Sequence, residues 1–263
     1  MNLRKLVWPL VLFFLLLAGC RALPPAPPPL AVTSPEELLS RLKSRHRDLR
    51  SFQAKGRITF LSPRQNYSGT ALLKGVLPAT LRVDVLDLFG RTILSFYTDG
   101  SQVQVLSPRE GKLYGGQATP GNLAAFIPPA VSLPQALRLL VGVLPLSAEN
   151  PDSFKYEPDQ ARYLMEWRGP AGSIQERLWV AAPGLSPGEE VWYGGAPSPR
   201  FTATFADFGS LVPDLPGKLT LKTSLPQIEL RLAYTELVLN PPLNPQDLVL
   251  KAPAGVAVVP LAP

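Results

Sequence analysis

From Ser51 to Leu239, apolar and polar residues alternate with a period of two, in short runs separated by Gly, Pro, Asn and Asp. This period points successive side chains to opposite faces of an extended strand. An amphipathic helix would instead repeat at three and four. The alternation is clearest at Leu81, Val83 and Val85 against Arg82 and Asp84, at Leu219 and Leu221 against Lys218 and Lys222, and at Ile228, Leu230 and Leu232 against Glu229 and Arg231. Strands are predicted at 52–61, 66–77, 80–87, 91–98, 102–107, 111–115, 161–168, 173–181, 188–193, 200–208, 217–223 and 227–239. One buried face per strand means antiparallel pairing. About a dozen such strands at short spacing favour one large, strongly curved sheet or barrel over separate small domains.

Two helical passages flank or interrupt the strands. Ser34-Pro35-Glu36-Glu37 supplies an N-cap, a proline at the first helical position and a capping glutamate, so a helix is predicted over 34–50. Leu38, Leu39, Leu42, His46, Leu49 and Phe52 fall along one side of it, opposite Arg41, Lys43, Arg47 and Arg50. His46 is the single histidine, and on this stripe it reads as a packing or rim residue. Between 117 and 148, short helices are predicted at 121–127, stopped by Pro128 and Pro129, and at 132–142, with Ser132 as cap and Gly142 near the end. The second is apolar almost all round and must be covered on most sides. Helices plugging the concave face of a curved sheet make a container for something apolar or an ordinary filled core, and periodicity alone leaves both open.

The N-terminus addresses the chain. Arg4 and Lys5, the apolar run Leu6 to Leu17, and Leu17-Ala18-Gly19-Cys20 form a signal sequence, too short in its apolar part to span a bilayer. Its ending resembles the bacterial lipobox, in which the cysteine is acylated and becomes the mature N-terminus. The alternative is an ordinary secretory signal with a chance cysteine. Cys20 is the only cysteine, so no internal disulfide forms. The organisation expected is a signal peptide at 1–19, a lipidated Cys20 with a proline-rich tether at 20–33, a folded domain at 34–250 and a proline-rich tail at 251–263. Acyl chains would hold the protein to a membrane while the domain stays in water. By resemblance to known sorting, Arg21 in place of an aspartate after the cysteine favours the outer membrane, facing the periplasm.

Composition argues against several function classes. One His, one Cys and two Met leave little for metal sites or nucleophilic triads, and no Gly-x-Ser-x-Gly elbow or phosphate loop is present. The chain therefore reads as no enzyme, with no cofactor and no metal. Its net charge of +6 carries no Lys/Arg block, so no nucleic-acid partner is expected. Asp84 and Asp87 fall on opposite faces of a strand, and Glu189-Glu190 reads as a turn exit.

Several phrases then occur in order. They are the lipobox, the amphipathic helix, Phe52-Gln53-Ala54-Lys55-Gly56-Arg57-Ile58, Leu86-Asp87-Leu88-Phe89-Gly90-Arg91, Ile127-Pro128, and Leu140-Val141-Gly142-Val143-Leu144-Pro145. The ordered set resembles the LolB-like outer-membrane lipoprotein receptors and their periplasmic carrier relatives of the LolA type, across most of the mature chain. The resemblance implies a mainly β (α+β) fold, an unclosed antiparallel β-barrel of about 11–12 strands with an N-terminal helix and short lid helices in its concave face. It implies a chaperone-like receptor that takes the acyl chains of lipoproteins from a LolA-like carrier and helps insert them in the outer membrane. The alternative is an envelope lipid-binding or structural lipoprotein subunit without transfer activity.

In that family a protruding apolar residue between two early strands is tied to membrane insertion. The matching residues are Leu88 and Phe89, which could equally be core residues at a hairpin corner. Candidates for the acyl-chain cavity are Leu81, Val83, Val85, Leu94 and Phe96 on the strands and Phe126, Ile127, Leu137, Leu140 and Val141 on the lid. A one-residue register slip would invert the strand face. Trp167, Trp179, Phe201 and Phe205 either line the same space or fill it.

Overall fold

The computed structural model describes residues 32–63, 66–124, 126–127, 131–144, 146 and 149–261. The signal sequence, Cys20 and the tether up to residue 31 lie outside the described residues, as do Pro128, Pro129 and Pro145. The elements run α1 (Pro35–Ser44), β1 (Ser51–Leu61), β2 (Asn66–Val76), β3 (Thr80–Leu86), β4 (Thr92–Thr98), β5 (Gln102–Ser107) and β6 (Lys112–Gln117). Next come α2 (Pro120–Leu123), α3 (Leu133–Leu139), β7 (Ser153–Glu157), β8 (Arg162–Arg168), β9 (Ile174–Ala181) and β10 (Pro187–Trp192). The chain ends with β11 (Phe201–Phe208), β12 (Pro216–Ser224), β13 (Gln227–Leu239) and β14 (Ala257–Pro260).

All the described strands join one 14-stranded sheet in the order β14-β6-β5-β4-β3-β2-β1-β13-β12-β11-β10-β9-β8-β7. Every pairing among them is antiparallel except β14 with β6. The sheet is unclosed: β14 and β7 end the order without pairing to each other. This is the mainly β, open-barrel architecture that alternation and resemblance predict, with two more strands than the upper estimate.

Both unpredicted strands lie at the edges, where periodic signal is weakest. β7 has only half-buried and exposed residues. β14 falls in the segment expected to be a tail, and its residues are mostly exposed. The route to β14 crosses the convex face: Leu248 and Leu250 pack with Tyr97 and Leu113, the Arg82 guanidinium donates to the Leu248 carbonyl at 3.5 Å, and the Leu250 N–H donates to Gln104 Oε1 at 2.9 Å.

Antiparallel pairing sends strand ends alternately to two rims. One of them, the tip rim, carries the connections β1–β2, β3–β4, β5–β6, β8–β9, β10–β11 and β12–β13. The opposite rim receives the N-terminus of β1 and the C-terminus of β6. The segment between β6 and β7 therefore leaves the opposite rim near one edge of the sheet, crosses the concave side and returns to the tip rim at the other edge. That path explains why α3 is apolar nearly all round.

α1 is shorter than the predicted 34–50. The Ser34 side chain accepts from the Glu37 N–H at 3.2 Å. At the other end Arg45 is extended and His46 has φ +55. The Arg45 guanidinium donates to the carbonyls of Gly184 and Leu185 at 2.7 and 2.9 Å, a tertiary tie that stops the helix where local spacing would have continued it. Leu38, Leu39 and Leu42 are buried, and Val32 is pinned through its N–H and carbonyl to the Tyr163 hydroxyl on β8.

α2 and α3 are also shorter than the predicted 121–127 and 132–142. After α2, the N–H groups of Phe126 and Ile127 both return to the Leu123 carbonyl at 2.8 Å. Gln135 closes the start of α3 by accepting from the Ser132 N–H at 2.9 Å, and Gly142 ends it at φ +75. A Cβ at Gly142 would lie 2.2 Å from the Pro216 ring, so this position needs glycine for space as well as for conformation.

Candidate functional site

The registers decide which face is inside. Ile58 and Phe60 of β1 stand opposite Leu232 and Leu230 of β13, and Leu73 of β2 opposite Val83 of β3. Val83 and Val85 in turn stand opposite Phe96 and Leu94 of β4. Paired residues share a face, so these side chains converge on the concave side beneath the lid.

There they surround an apolar cavity of about 100 Å³. Its strand wall includes Ile58, Phe60, Tyr67, Leu73, Leu81, Val83, Val85, Leu94, Phe96, Phe201, Leu221, Thr223, Ile228, Leu230 and Leu232, and its lid is Phe126, Ile127, Val131, Ala136, Leu139 and Leu140. The side-chain polar groups of this lining are the Tyr67 and Thr223 hydroxyls. Burial pushes the Tyr67 phenol up to about 12, so it stays neutral. Its ring stacks on Phe60 with centroids 4.9 Å apart. Among the described residues the lining holds no carboxylate, amine or imidazole, and its apolar walls can enclose apolar groups.

The lid is seated by two contacts. Phe126 meets Phe96 with ring centroids 4.5 Å apart. The buried Tyr234 hydroxyl of β13 donates to the Leu140 carbonyl at the end of α3.

Of the ten candidate cavity residues, Leu81, Val83, Val85, Leu94, Phe96, Phe126, Ile127 and Leu140 stand in this lining. Leu137 and Val141 do not. They are 0% and 1% exposed and pack in the core. On so apolar a helix the sequence carries no mark of which side meets the cavity and which meets the neighbouring core. The wall from β1, β2, β12 and β13 is not among the sequence candidates, although its alternation is visible, because only long-range pairing brings those strands to β3.

Among the late aromatics, Phe201 lines the cavity, while Trp167 and Phe205 are buried in the core. Trp179 does neither. It stands opposite Leu164 and Glu189 on the outer face, with the Arg162 guanidinium 5.2 Å from its ring centroid.

The β3–β4 connection projects from the tip rim. Leu88 and Phe89 are 93% and 83% exposed. A hairpin-corner core role for these two is thereby excluded. Asp87 holds the turn: its carboxylate accepts from the N–H groups of Phe89 and Arg91 at 2.8 and 2.9 Å and from the Arg91 guanidinium at 2.7 Å. Chiefly through the Arg91 N–H, the carboxyl is kept below its ordinary range. Gly90, at φ +78, supplies the left-handed residue, and Arg91 lies 5.3 Å from the Phe89 centroid. Built this way, the turn presents its apolar side chains to solvent with no packing support beyond the Arg91 guanidinium beside the Phe89 ring.

A second cluster carries no signal that sequence reasoning would catch. Glu190 is not at a turn exit but inside β10, opposite Leu178 and Ala203, and so faces the concave side. Glu176, two residues before Leu178, shares that face. Burial raises both carboxyls, and for Glu190 the charge of Glu176 adds to the effect. Glu176 Oε1 and Glu190 Oε2 find no hydrogen-bond partner among the described residues. His46 Nε2 also lacks one there, and burial lowers its pKa. Among the described residues no group of three or more His, Cys, Asp or Glu gathers as metal ligands would.

No family model matches the chain, and no curated protein matches it. Solved structures do. A "putative outer membrane lipoprotein-sorting protein domain" from Vibrio parahaemolyticus matches at 12% identity, over 81% of this chain and 94% of that one, with TM-score 0.52. A DUF1329 family protein from Desulfovibrio piger matches at 8% identity over 81% and 96%, with TM-score 0.50. A LolA superfamily protein from Nitrosomonas europaea matches at 14% identity over 83% and 98%, with TM-score 0.49. At these identities the likeness shows the fold alone: the chain shares the open-barrel fold of the Vibrio parahaemolyticus domain.

Proposed function

We propose that this protein is a LolB-like envelope lipoprotein, anchored by an acylated Cys20 to the outer membrane, whose cavity takes up acyl chains of lipoproteins from a LolA-like carrier and passes them to the bilayer. The observation that carries this reading is the pairing of an inert apolar cavity under a seated lid with an unsupported apolar tip at one rim. A filled core needs neither a space nor a lid, and a catalyst needs reactive groups in the lining. Handover requires no nucleotide if each successive site, ending with the bilayer, holds the chains more favourably, because an equilibrium moves only by differential affinity. The envelope location rests on the lipobox and on the lipoprotein-sorting neighbour.

The size of the cavity favours a second reading. On the measure by which one water occupies about 10–15 Å³, a volume of about 100 Å³ has room for several water-sized groups, less than a triacylated lipoprotein would present. With its lid as placed, the site suits part of one acyl chain, as an envelope lipid-binding subunit without transfer activity would need.

Native mass spectrometry of residues 21–263 after incubation with a lipoprotein-loaded carrier separates the two. A one-to-one complex with the acylated cargo supports the receptor. Uptake of phospholipid without cargo supports the lipid-binding subunit, and a protein that stays empty refutes both.

A further inference from the structure

The tip rim carries a second apolar projection. Leu225 is 91% exposed in the two-residue connection between β12 and β13. Nothing local requires a large apolar residue there. The turn is held by its neighbours: the Thr223 hydroxyl donates to the Pro226 carbonyl at 2.5 Å, the Ser224 hydroxyl donates to the Pro199 carbonyl, and the Ser224 N–H donates to the Arg200 carbonyl at 3.2 Å. Leu225 is therefore fixed in direction while its side chain touches little, the same condition as Leu88 and Phe89.

The two tips share a rim because β3 and β12 run the same way. β3 is followed in the sheet by β2, β1, β13 and β12. Four inter-strand steps of about 4.8 Å separate the tips by about 19 Å along the sheet. Between them the cavity wall reaches the ends of the strands: Phe60 is the penultimate residue of β1, Tyr67 the second of β2, Thr223 the penultimate of β12 and Ile228 the second of β13. The apolar interior thus approaches the outside on the stretch of rim the two tips bracket. Cations stand at each tip and are ion-paired, Arg91 with Asp87 and Lys222 with Glu229 at 3.8 Å. Glu229 is shared with Arg231 at 2.6 Å, so the Leu225 tip keeps one net positive charge, which an anionic lipid headgroup surface attracts.

We propose that Leu225 is a second membrane-contact point, and that the protein seats its tip rim on a lipid bilayer through Leu88 and Phe89 on one side of the cavity end and Leu225 on the other. The inference rests on the reading of the β3–β4 tip as membrane-inserting. Two contacts remove a direction of tilt that one leaves free, and because they bracket the cavity end they hold it against the bilayer, where acyl chains would cross without passing through water.

The test uses the full-length lipidated protein in vesicles of phosphatidylethanolamine and phosphatidylglycerol. Leu225→Cys, Leu88→Cys and, on the opposite rim, the exposed Ser101→Cys each carry a nitrobenzoxadiazole dye, with the unsubstituted protein as control for labelling at Cys20. The expected result is blue-shifted emission and quenching by brominated lipid at positions 88 and 225 and neither at 101. A shift at 88 without one at 225 overturns this inference and leaves the membrane-inserting tip standing. No shift at 88 or 225 overturns both. Since all three positions are exposed, the substitutions leave the fold intact, and a circular dichroism melt verifies this.

Discussion

Replacing Leu88 and Phe89 together by Ser tests the link between tip and membrane quantitatively. Both side chains are almost wholly in water, 93% and 83% exposed, so the fold depends little on them. The Asp87 bonds that shape the turn go to backbone N–H groups and to Arg91, and survive the change. What the substitution removes is the Arg91 guanidinium's attraction to the Phe89 ring, worth about 0.5–1 kcal/mol at an exposed site. Unfolding free energy should therefore change by less than about 1 kcal/mol. Membrane binding is another matter. Fully burying each side chain contributes about 1.5–3 kcal/mol, so even the lower figure gives about 3 kcal/mol for the pair, more than a hundredfold in binding. Flotation of residues 21–263 with phospholipid vesicles measures the second quantity and urea unfolding the first. A drop in binding below about threefold, or a destabilisation above about 2 kcal/mol, would refute the reasoning.

Three further outcomes follow from the same geometry. The raised carboxyls of Glu176 and Glu190 hold protons in the folded state that the unfolded chain gives up near the ordinary value of 4.5, so stability should fall as pH rises from there towards the raised values. Urea midpoints at pH 5 and pH 8 check the sign, and Glu190→Gln should flatten the difference. Tyr234→Phe removes the donor to the Leu140 carbonyl and should cost about 1–2 kcal/mol, with faster hydrogen exchange at the end of α3 than elsewhere in the sheet. Gly142→Ala forces a Cβ to within 2.2 Å of Pro216 at a positive φ and should cost at least about 1 kcal/mol in thermal or urea unfolding.

Alternation by itself determined most of the sheet. The twelve predicted strands agree with the observed ones to within a residue or two at nearly every boundary, because a strand with one buried face writes that burial directly into its sequence. The inward face of β3 and β4 was legible for the same reason. Resemblance supplied what alternation does not contain: an unclosed barrel with lid helices in its concave face, and attention to Leu88 and Phe89. Tertiary structure decided the rest. It ended α1 through the Arg45 bonds to Gly184 and Leu185, and it turned Leu137 and Val141 of a largely apolar segment into the core while turning Leu139 and Leu140 to the cavity. It also drew the C-terminal segment across the convex face to make β14 from residues that look like a tail, and it buried Glu190 where local pattern suggests a turn. Each of these depends on a partner far away in the chain. A period of two records which face of a strand is buried, but not against which residues, and burial partners are what make a cavity, a lid and a rim.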